Sequence, residues 1–219
     1  MRFSREEIKN SMLLYAITDR TWLKEDESLV EVCEEVLKNG ATFLQVREKD
    51  LNDMNFEQEA MLLKKLCNNY HVPFVVNDNI DIALAVDADG VHLGQSDIKG
   101  RDIRAIIGPN KILGISAGTV KEAMEAEKAG ADYIGVGAVF GTSTKKNARN
   151  LSLEQLKEIS NSVTIPVVAI GGINKNNILQ LSGSCIDGVA VISAIFASEN
   201  IGKATSELLN LASEMISHE

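Results

Sequence analysis

The sequence predicts a single domain, spanning residues 1–219, that folds as a (β/α)8 TIM barrel with a short extra helix before the first strand. Short apolar runs alternate with longer segments of helical periodicity along most of the chain. This alternation is typical of a parallel sheet whose strands are connected by helices. About eight such strands can be counted, and eight units favour a closed barrel over an open doubly wound sheet, which normally uses fewer strands.

The candidate strands are short apolar runs bounded by polar residues or glycine. In chain order they span residues 13–18, 43–47, 73–77, 90–93, 111–116, 133–140, 166–170 and 188–193. The segments between them, such as residues 29–38 and 57–68, place apolar residues three and four positions apart, as a helix with one buried face requires. Glycines such as Gly40 and Gly130 follow these segments and are typical of left-handed helix C-caps. Residues 4–10 are predicted to form the extra helix.

The composition limits the kinds of function that the chain can perform. With 219 residues and 45% hydrophobic content, the chain can bury one core without dividing into two domains. The formal net charge of −9 argues against binding to nucleic acid, because the summed field repels phosphates. A polar N-terminal segment and the lack of a long apolar run predict neither a signal peptide nor a membrane span, so we expect a cytoplasmic protein. A homo-oligomer is possible.

The second predicted strand ends in alternating polar residues. In a (β/α)8 barrel the reactive groups come from the C-terminal ends of the strands. Gln45, Arg47 and Lys49 alternate there and should share one face, while Val46 and Glu48 take the other. Two cations that point into the barrel mouth indicate an anionic substrate, because half-burying like charges is otherwise costly. The alternative is a solvated strand end with surface salt bridges.

Two carboxylates follow the third and fourth predicted strands. Asp78 and Asp97 should face one space, because neighbouring parallel strands lie within about 5 Å of each other. Mg²⁺ commonly takes one or two protein carboxylates and completes its octahedron with water and phosphate oxygens. The pair therefore indicates a magnesium site. The alternative is that each aspartate caps the N-terminus of the following helix.

Residues 141–149 form a polar loop after the sixth predicted strand. Thr142, Ser143 and Thr144 supply hydroxyl groups, and Lys145 is one of three cations in this stretch of an otherwise acidic protein. Long polar loops at the mouth of a barrel are often lids or binding elements, and these groups suit phosphate oxygens. The alternative is a flexible linker.

The last two predicted strands are followed by features of a phosphate site. Gly172 lies in a Gly-Gly turn after the seventh strand, and Ile192 and Ser193 end the eighth. Barrels of this class commonly bind phosphate here with backbone N–H groups at a helix start, and glycine allows close approach. Simple turn geometry is the alternative. His92, within the fourth strand, is predicted to pack or hydrogen-bond inside the barrel rather than act as a base.

Taken together, these blocks resemble the thiamine phosphate synthase family, and they occur in the family's order from the first strand to the last. The blocks are Gln45-Val46-Arg47-Glu48-Lys49, Val76-Asn77-Asp78, residues 90–95 with Asp97, Thr142-Ser143-Thr144-Lys145, Gly171-Gly172-Ile173 and Val191-Ile192-Ser193. Two positions depart from the family: Asn79 stands where it often has Arg, and Gly141 where it often has Pro. Neither is a ligand position.

The resemblance implies two substrates, a metal ion and a set of site residues. Asp78 and Asp97 would hold Mg²⁺. The pyrimidine diphosphate would be held by Gln45, Val46, Arg47, Glu48, Lys49, Asn77, Ser116 and Lys145, of which Arg47, Lys49, Ser116 and Lys145 are the implied catalytic residues. The thiazole phosphate would be held by Thr142, Ser143, Thr144, Gly172, Ile192 and Ser193.

The family's reaction begins with loss of diphosphate from the pyrimidine methylene, and the thiazole nitrogen captures the resulting cation. No candidate nucleophile and base pair stands at the strand ends, which agrees with a reaction that needs charge stabilisation instead. Two alternatives stay open. The chain could be a thiazole tautomerase-like relative, which needs no diphosphate and metal site, or a non-catalytic phosphate-binding barrel. The intact Asp78, Asp97, Arg47 and Lys145 favour the synthase.

Overall fold

The computed structural model describes residues 3–141 and 150–217, and it confirms the predicted (β/α)8 barrel. Every strand pairs in parallel with its neighbours in chain order, and the last strand pairs with the first. The strands are β1 (Leu14–Ile17), β2 (Phe43–Val46), β3 (Phe74–Asn77), β4 (Gly90–Leu93), β5 (Ile112–Ala117), β6 (Tyr133–Gly137), β7 (Val167–Ile170) and β8 (Gly188–Val191). The closed sheet brings all C-terminal strand ends to one rim, where the predicted site residues begin.

Helices surround the barrel and follow most of its strands. The α-helices are α1 (Arg5–Ser11), α2 (Leu29–Lys38), α3 (Asp53–Tyr70), α4 (Ile80–Ala85), α5 (Gln95–Ile98), α6 (Ile103–Ile107), α7 (Val120–Lys128), α8 (Leu153–Ser160), α9 (Ser193–Phe196) and α10 (Ile201–Ser217). Two 3-10 helices span Arg20–Trp22 and Ile178–Leu181. The second of these occupies the place after β7 where a longer helix would complete a regular repeat. The predicted C-cap residues Gly40 and Gly130 have φ values of 103° and 84°, as left-handed caps require.

Strands β6 and β8 are shorter than the apolar runs that predicted them. The run at residues 133–140 forms a strand only as far as Gly137. Beyond it, the N–H groups of Val139 and Phe140 still donate to carbonyls at the end of β7, but outside the regular ladder. Ser193, predicted at the end of the eighth strand, instead begins α9. Hydrophobicity alone did not locate these strand ends, because the chain stays apolar where it leaves the sheet.

The extra N-terminal helix is confirmed as α1, and it closes one end of the barrel. Ser4 and Glu7 form a reciprocal capping box that starts the helix. Ile8 and Met12 are buried within the same apolar cluster as the barrel interior. The Met12 carbonyl lies against Gly188, the first residue of β8, so the closed end is the N-terminal end of the strands. The opposite rim is left for ligands.

The buried side chains form two layers. An inner cluster fills the barrel and includes the aromatic rings of Tyr15, Phe43 and Tyr133. A larger outer cluster lies between the strands and the surrounding helices. Within the described part of the chain, every helix is too short or too polar to cross a lipid bilayer.

Candidate functional site

The end of β2 places its side chains on alternate faces, as the sequence predicts. Gln45 is 2% exposed and lies inside the barrel, where its Nε2 donates to Tyr15 Oη. Val46 is fully buried in the outer layer. Arg47 is half-buried, and its backbone N–H donates to Thr18 Oγ1 at 2.9 Å, which ties the strand end to β1. The side chain of Val46 is therefore directed away from the barrel mouth.

Glu48 lies in a partly buried ion pair behind the strand end. Its side chain is 2% exposed, and Arg20 Nε donates to Glu48 Oε1 at 3.2 Å. Arg20 also pairs with Glu59. Burial raises the pKa of Glu48 to about 7, although Arg20 opposes this rise, and the neighbouring charge of Glu59 adds to it. Any contact of Val46 or Glu48 with a ligand is therefore expected through backbone atoms.

The raised pKa of Glu48 predicts a pH-dependent stability. A carboxyl group that takes up its proton more readily in the folded state stabilises the fold at low pH, and this stabilisation is lost as pH rises from 4.5 to about 7. We expect Glu48→Gln to gain stability relative to the parent over this window, on the order of 2 kcal/mol. Urea unfolding at several pH values measures the difference.

The exposed Glu158 supplies the control for this experiment. Glu158→Gln makes the same substitution at a side chain that stays in water, and its unfolding free energy should remain close to that of the parent. A difference in unfolding free energy between Glu48→Gln and the parent that is constant with pH would contradict the assignment.

Asp78 and Asp97 lie close together after β3 and β4. Asp78 directly follows β3, whereas Asp97 lies in α5, four residues beyond the end of β4, and not at the strand end that the sequence predicts. Asp78 has a left-handed φ of 61°, and its N–H donates to the His92 carbonyl at 3.0 Å. Burial raises the pKa of Asp78, the adjacent Asp97 carboxyl raises it further, and Lys49 partly lowers it. Asn77, at the end of β3, also hydrogen-bonds to the Asp78 carboxyl. The two carboxyl groups and the Lys49 ammonium thus share one region of the rim.

The helix-capping alternative does not hold for Asp78. Asn79 caps α4, because its Oδ1 accepts from the Ile82 N–H at 3.0 Å. Asp97 does take part in a helix start, since its Oδ2 accepts from the Gly94 N–H at 2.8 Å. Within residues 3–141 and 150–217, no group of three or more His, Cys, Asp or Glu side chains could hold a metal ion. Asp78 and Asp97 are therefore a two-carboxylate set.

Ser116 belongs to a hydrogen-bonded group inside the barrel. Its Oγ lies 3.0 Å from His92 Nε2, and its carbonyl accepts from Gln95 Nε2 at 2.7 Å. His92 Nδ1 lies 3.0 Å from Tyr133 Oη. The prediction that His92 hydrogen-bonds within the barrel is confirmed. Sequence reasoning missed Tyr15 and Tyr133, although a tyrosine inside a buried strand is a signal that its hydroxyl needs a polar partner.

The end of β7 approaches the chain at the end of β6. Gly172 has a φ of 67°, and a Cβ there would lie 2.1 Å from the Gly141 carbonyl oxygen. Its own carbonyl accepts from the side chains of Asn174 and Asn177. Only glycine fits this backbone contact. Thr142, Ser143, Thr144 and Lys145, predicted to bind phosphate or diphosphate, lie outside the described residues.

The predicted phosphate residues after β8 lie beside those after β7, because the two strands are hydrogen-bonded neighbours. Ile192 is half-buried and precedes the first turn of α9, while Ser193 is exposed and begins it. The backbone N–H groups of a helix start have no partner within the helix and suit an anion. Gly172 and Ser193 therefore line one part of the rim. Other described site residues lie in strands β2 to β5 or shortly after them: Gln45, Asn77, Asp78, Asp97 and Ser116.

Comparison with known proteins gives consistent matches over most of the chain. The sequence profile of the thiamine monophosphate synthase family matches residues 14–195. The thiamine-phosphate synthase of Clostridium tetani is 48% identical over 201 residues, which is 92% of this chain and 96% of that protein. The enzyme of the same name from Clostridium novyi is 51% identical over 199 residues, 90% of this chain and 97% of that protein. A solved thiamine phosphate pyrophosphorylase from Pyrococcus furiosus superposes with a TM-score of 0.87 and 44% identity, and covers 95% of this chain and 99% of its own.

Proposed function

Because the chain belongs to the thiamine monophosphate synthase family, we propose that it joins a pyrimidine diphosphate to a thiazole phosphate and releases diphosphate. The chain is thus a transferase of thiamine synthesis. The observation that carries the proposed substrates is the pairing of Asp78, directly after β3, with Asp97 in α5, within electrostatic reach of Lys49. A diphosphate needs such a combination of a metal site and a cation, and a thiazole phosphate alone does not.

The pair of carboxylates that follows β3 and β4 fits Mg²⁺. Asp78 and Asp97 supply hard carboxylate oxygens on one side, and their number leaves positions for water and diphosphate oxygens. Two negative carboxyl groups in contact also favour a divalent cation between them. When bound, Mg²⁺ would supply positive charge to the diphosphate as it leaves. Asp78 and Asp97 would hold the ion, and Asn77 would orient Asp78.

The proposed reaction breaks one bond and forms another without an enzyme-bound intermediate. The carbon–oxygen bond between the pyrimidine methylene and the diphosphate breaks, and its electron pair stays with the leaving oxygen. The lone pair of the thiazole nitrogen then forms the new carbon–nitrogen bond at the methylene cation. Arg47, Lys49 and Lys145 would stabilise the growing negative charge of the diphosphate, because fixed cations need no reorganisation during the reaction. Gln45 and Ser116 would orient the pyrimidine ring from the barrel interior.

The thiazole phosphate would bind at the ends of β6, β7 and β8. The open N-terminus of α9 and the exposed Ser193 hydroxyl support a phosphate there, and Gly172 allows close backbone approach. Ile192, which directly precedes α9, would also contact this phosphate. Thr142, Ser143 and Thr144 are assigned to this phosphate by resemblance.

Loss of the Ser193 hydroxyl tests this assignment. We expect Ser193→Ala to raise the Michaelis constant for the thiazole phosphate about tenfold and to leave that for the pyrimidine diphosphate nearly unchanged, because one charge-assisted hydrogen bond is lost at one phosphate only. Ser198→Ala removes a hydroxyl from the loop after α9 and should leave both constants unchanged. Equal changes in the two constants of the Ser193 variant would show that this phosphate is assigned wrongly.

An omission series tests the proposed function against its two alternatives. Diphosphate release should require the protein, both substrates and Mg²⁺ together. A tautomerase-like relative would change the thiazole phosphate without the pyrimidine substrate, and a non-catalytic barrel would bind phosphate compounds and release no diphosphate. Either of these results would overturn the proposal.

A further inference from the structure

A continuous chain of side-chain hydrogen bonds crosses the barrel interior from β2 to β5. Gln45 Nε2 donates to Tyr15 Oη, which lies 2.7 Å from Tyr133 Oη. Tyr133 Oη lies 3.0 Å from His92 Nδ1, and His92 Nε2 lies 3.0 Å from Ser116 Oγ. The chain therefore connects two residues, Gln45 and Ser116, that are proposed to hold the pyrimidine substrate. The three residues between them have no assigned role in the reaction.

The chain of hydrogen bonds has one direction, because the bond between Gln45 and Tyr15 can form in only one way. An amide nitrogen donates and does not accept, so Tyr15 Oη is the acceptor from Gln45. In the described part of the chain, Tyr15 Oη makes its two hydrogen bonds with Gln45 and Tyr133. Its single proton consequently goes to Tyr133. Tyr133 in turn has one proton, and its other partner is His92 Nδ1. His92 Nδ1 is then the acceptor.

Burial keeps both phenols able to donate. Tyr15 and Tyr133 are fully buried, and this burial raises the pKa of each hydroxyl group, so that each retains its proton. Gly114 on β5 leaves space for the side chains of Tyr133 and His92, since a Cβ at this position would lie 2.2 Å from the Tyr133 ring and 2.6 Å from His92 Nδ1. A hydroxyl proton that found no acceptor at this depth would be costly. If the hydrogen bonds ran in the opposite direction, the Tyr15 hydroxyl proton would have no acceptor.

We propose that Tyr15, Tyr133 and His92 are positioning residues that fix the neutral Nε2–H tautomer of His92 and so present Ser116 to the pyrimidine substrate as a hydrogen-bond donor. With Nδ1 accepting from Tyr133, the ring proton lies on Nε2 and donates to Ser116 Oγ. The Ser116 hydroxyl proton is then directed to an acceptor atom of the substrate. The inference rests on the proposed function, in which Ser116 contacts the pyrimidine.

The tautomer can be observed without any turnover. The protein has three histidines, and the double substitution His71→Asn and His218→Asn leaves His92 as the single histidine. His71 has a left-handed φ of 57°, which asparagine tolerates. In a long-range ¹H–¹⁵N spectrum of this protein at about pH 8, where imidazole is neutral, we expect a protonated Nε2 and an unprotonated Nδ1. Protonation of Nδ1, alone or together with Nε2, would overturn the proposal.

Tyr133→Phe and Tyr15→Phe break the chain without changing the shape of the core. In the single-histidine protein, Tyr133→Phe should move the two nitrogen shifts towards each other, because the donor to Nδ1 is gone. In the protein that retains all three histidines, Tyr133→Phe should lower kcat/KM for the pyrimidine diphosphate about tenfold and leave KM for the thiazole phosphate unchanged. Tyr15→Phe should have a smaller effect, because Tyr133 can still donate to His92 Nδ1. The double variant should lose little more than Tyr133→Phe alone, since both substitutions break one chain of hydrogen bonds.

The third tyrosine provides a matched control. Tyr70 donates its hydroxyl to Glu34 on the outside of the barrel, so Tyr70→Phe should retain the parent kinetics and the parent spectrum. An unchanged spectrum in Tyr133→Phe would show that the chain does not set the tautomer. If the parent protein yields no product, the proposed function fails, whereas an active parent with Nδ1 protonated refutes only this inference.

Discussion

We expect Asp78→Ala and Asp97→Ala each to reduce turnover about a hundredfold or more, because each removes one of the two carboxylates that would hold Mg²⁺ against the leaving diphosphate. Removal of divalent cations with excess chelator should reduce the parent protein to a similar level. Steady-state diphosphate release, measured over a range of Mg²⁺ concentrations, should show that the variants need far more metal. Both residues lie at the rim, so the fold should survive the substitutions.

Substitution of a nearby carboxylate serves as a control, because it distinguishes loss of the metal site from loss of negative charge in general. Asp81 is exposed in the first turn of α4, three positions after Asp78. Asp81→Ala should keep the parent turnover and metal requirement, because Asp81 lies in α4 and does not belong to the pair formed by Asp78 and Asp97. Parent turnover that persists in excess chelator would refute the metal assignment.

The second large effect is expected from Lys145→Ala. If Lys145 acts on the ionisation step, this variant should reduce the single-turnover rate about a hundredfold while substrate binding changes little, because the cation stabilises charge that grows only as the bond breaks. Lys145→Arg should recover little of the rate, since a planar guanidinium does not replace a compact ammonium. Rapid-quench measurement with both substrates saturating gives the rate on the bound complex.

A competing interpretation is that Lys145 only tethers its loop. Binding should then suffer, and the rate at saturation should equal that of the parent. The neighbouring Lys146 provides the matched control, because Lys146→Ala removes the same charge at the next position of the predicted loop and should keep the parent rate. A parent-like single-turnover rate in Lys145→Ala would leave only the tether.

The fold could be predicted from the sequence because its periodicity is strong. The alternation of strands and helices, the glycine C-caps and the extra N-terminal helix all follow from local patterns that the structure retains. Strand ends could not be located in the same way, as the run at residues 133–140 shows. Apolar residues that follow β6 remain buried after they leave the sheet, so hydrophobicity gives no sign of the boundary.

Parts of the site follow from strand order, and other parts depend on three-dimensional packing. The meeting of Asp78 and Asp97 was predictable, because neighbouring parallel strands end at the same rim. The ion pair of Arg20 with Glu48 was not, since these residues come from different strand ends and no spacing connects them. The buried bond between Tyr15 and Tyr133 joins residues 118 positions apart, and only the closed barrel brings them together.

The central claim is that this barrel couples its two substrates. The most direct measurement is to mix the pyrimidine diphosphate, the thiazole phosphate and Mg²⁺ with the protein and to identify the products by mass. The account predicts thiamine phosphate and diphosphate in equal amounts, with neither formed when one substrate is omitted. Tight binding of both substrates without either product would contradict it.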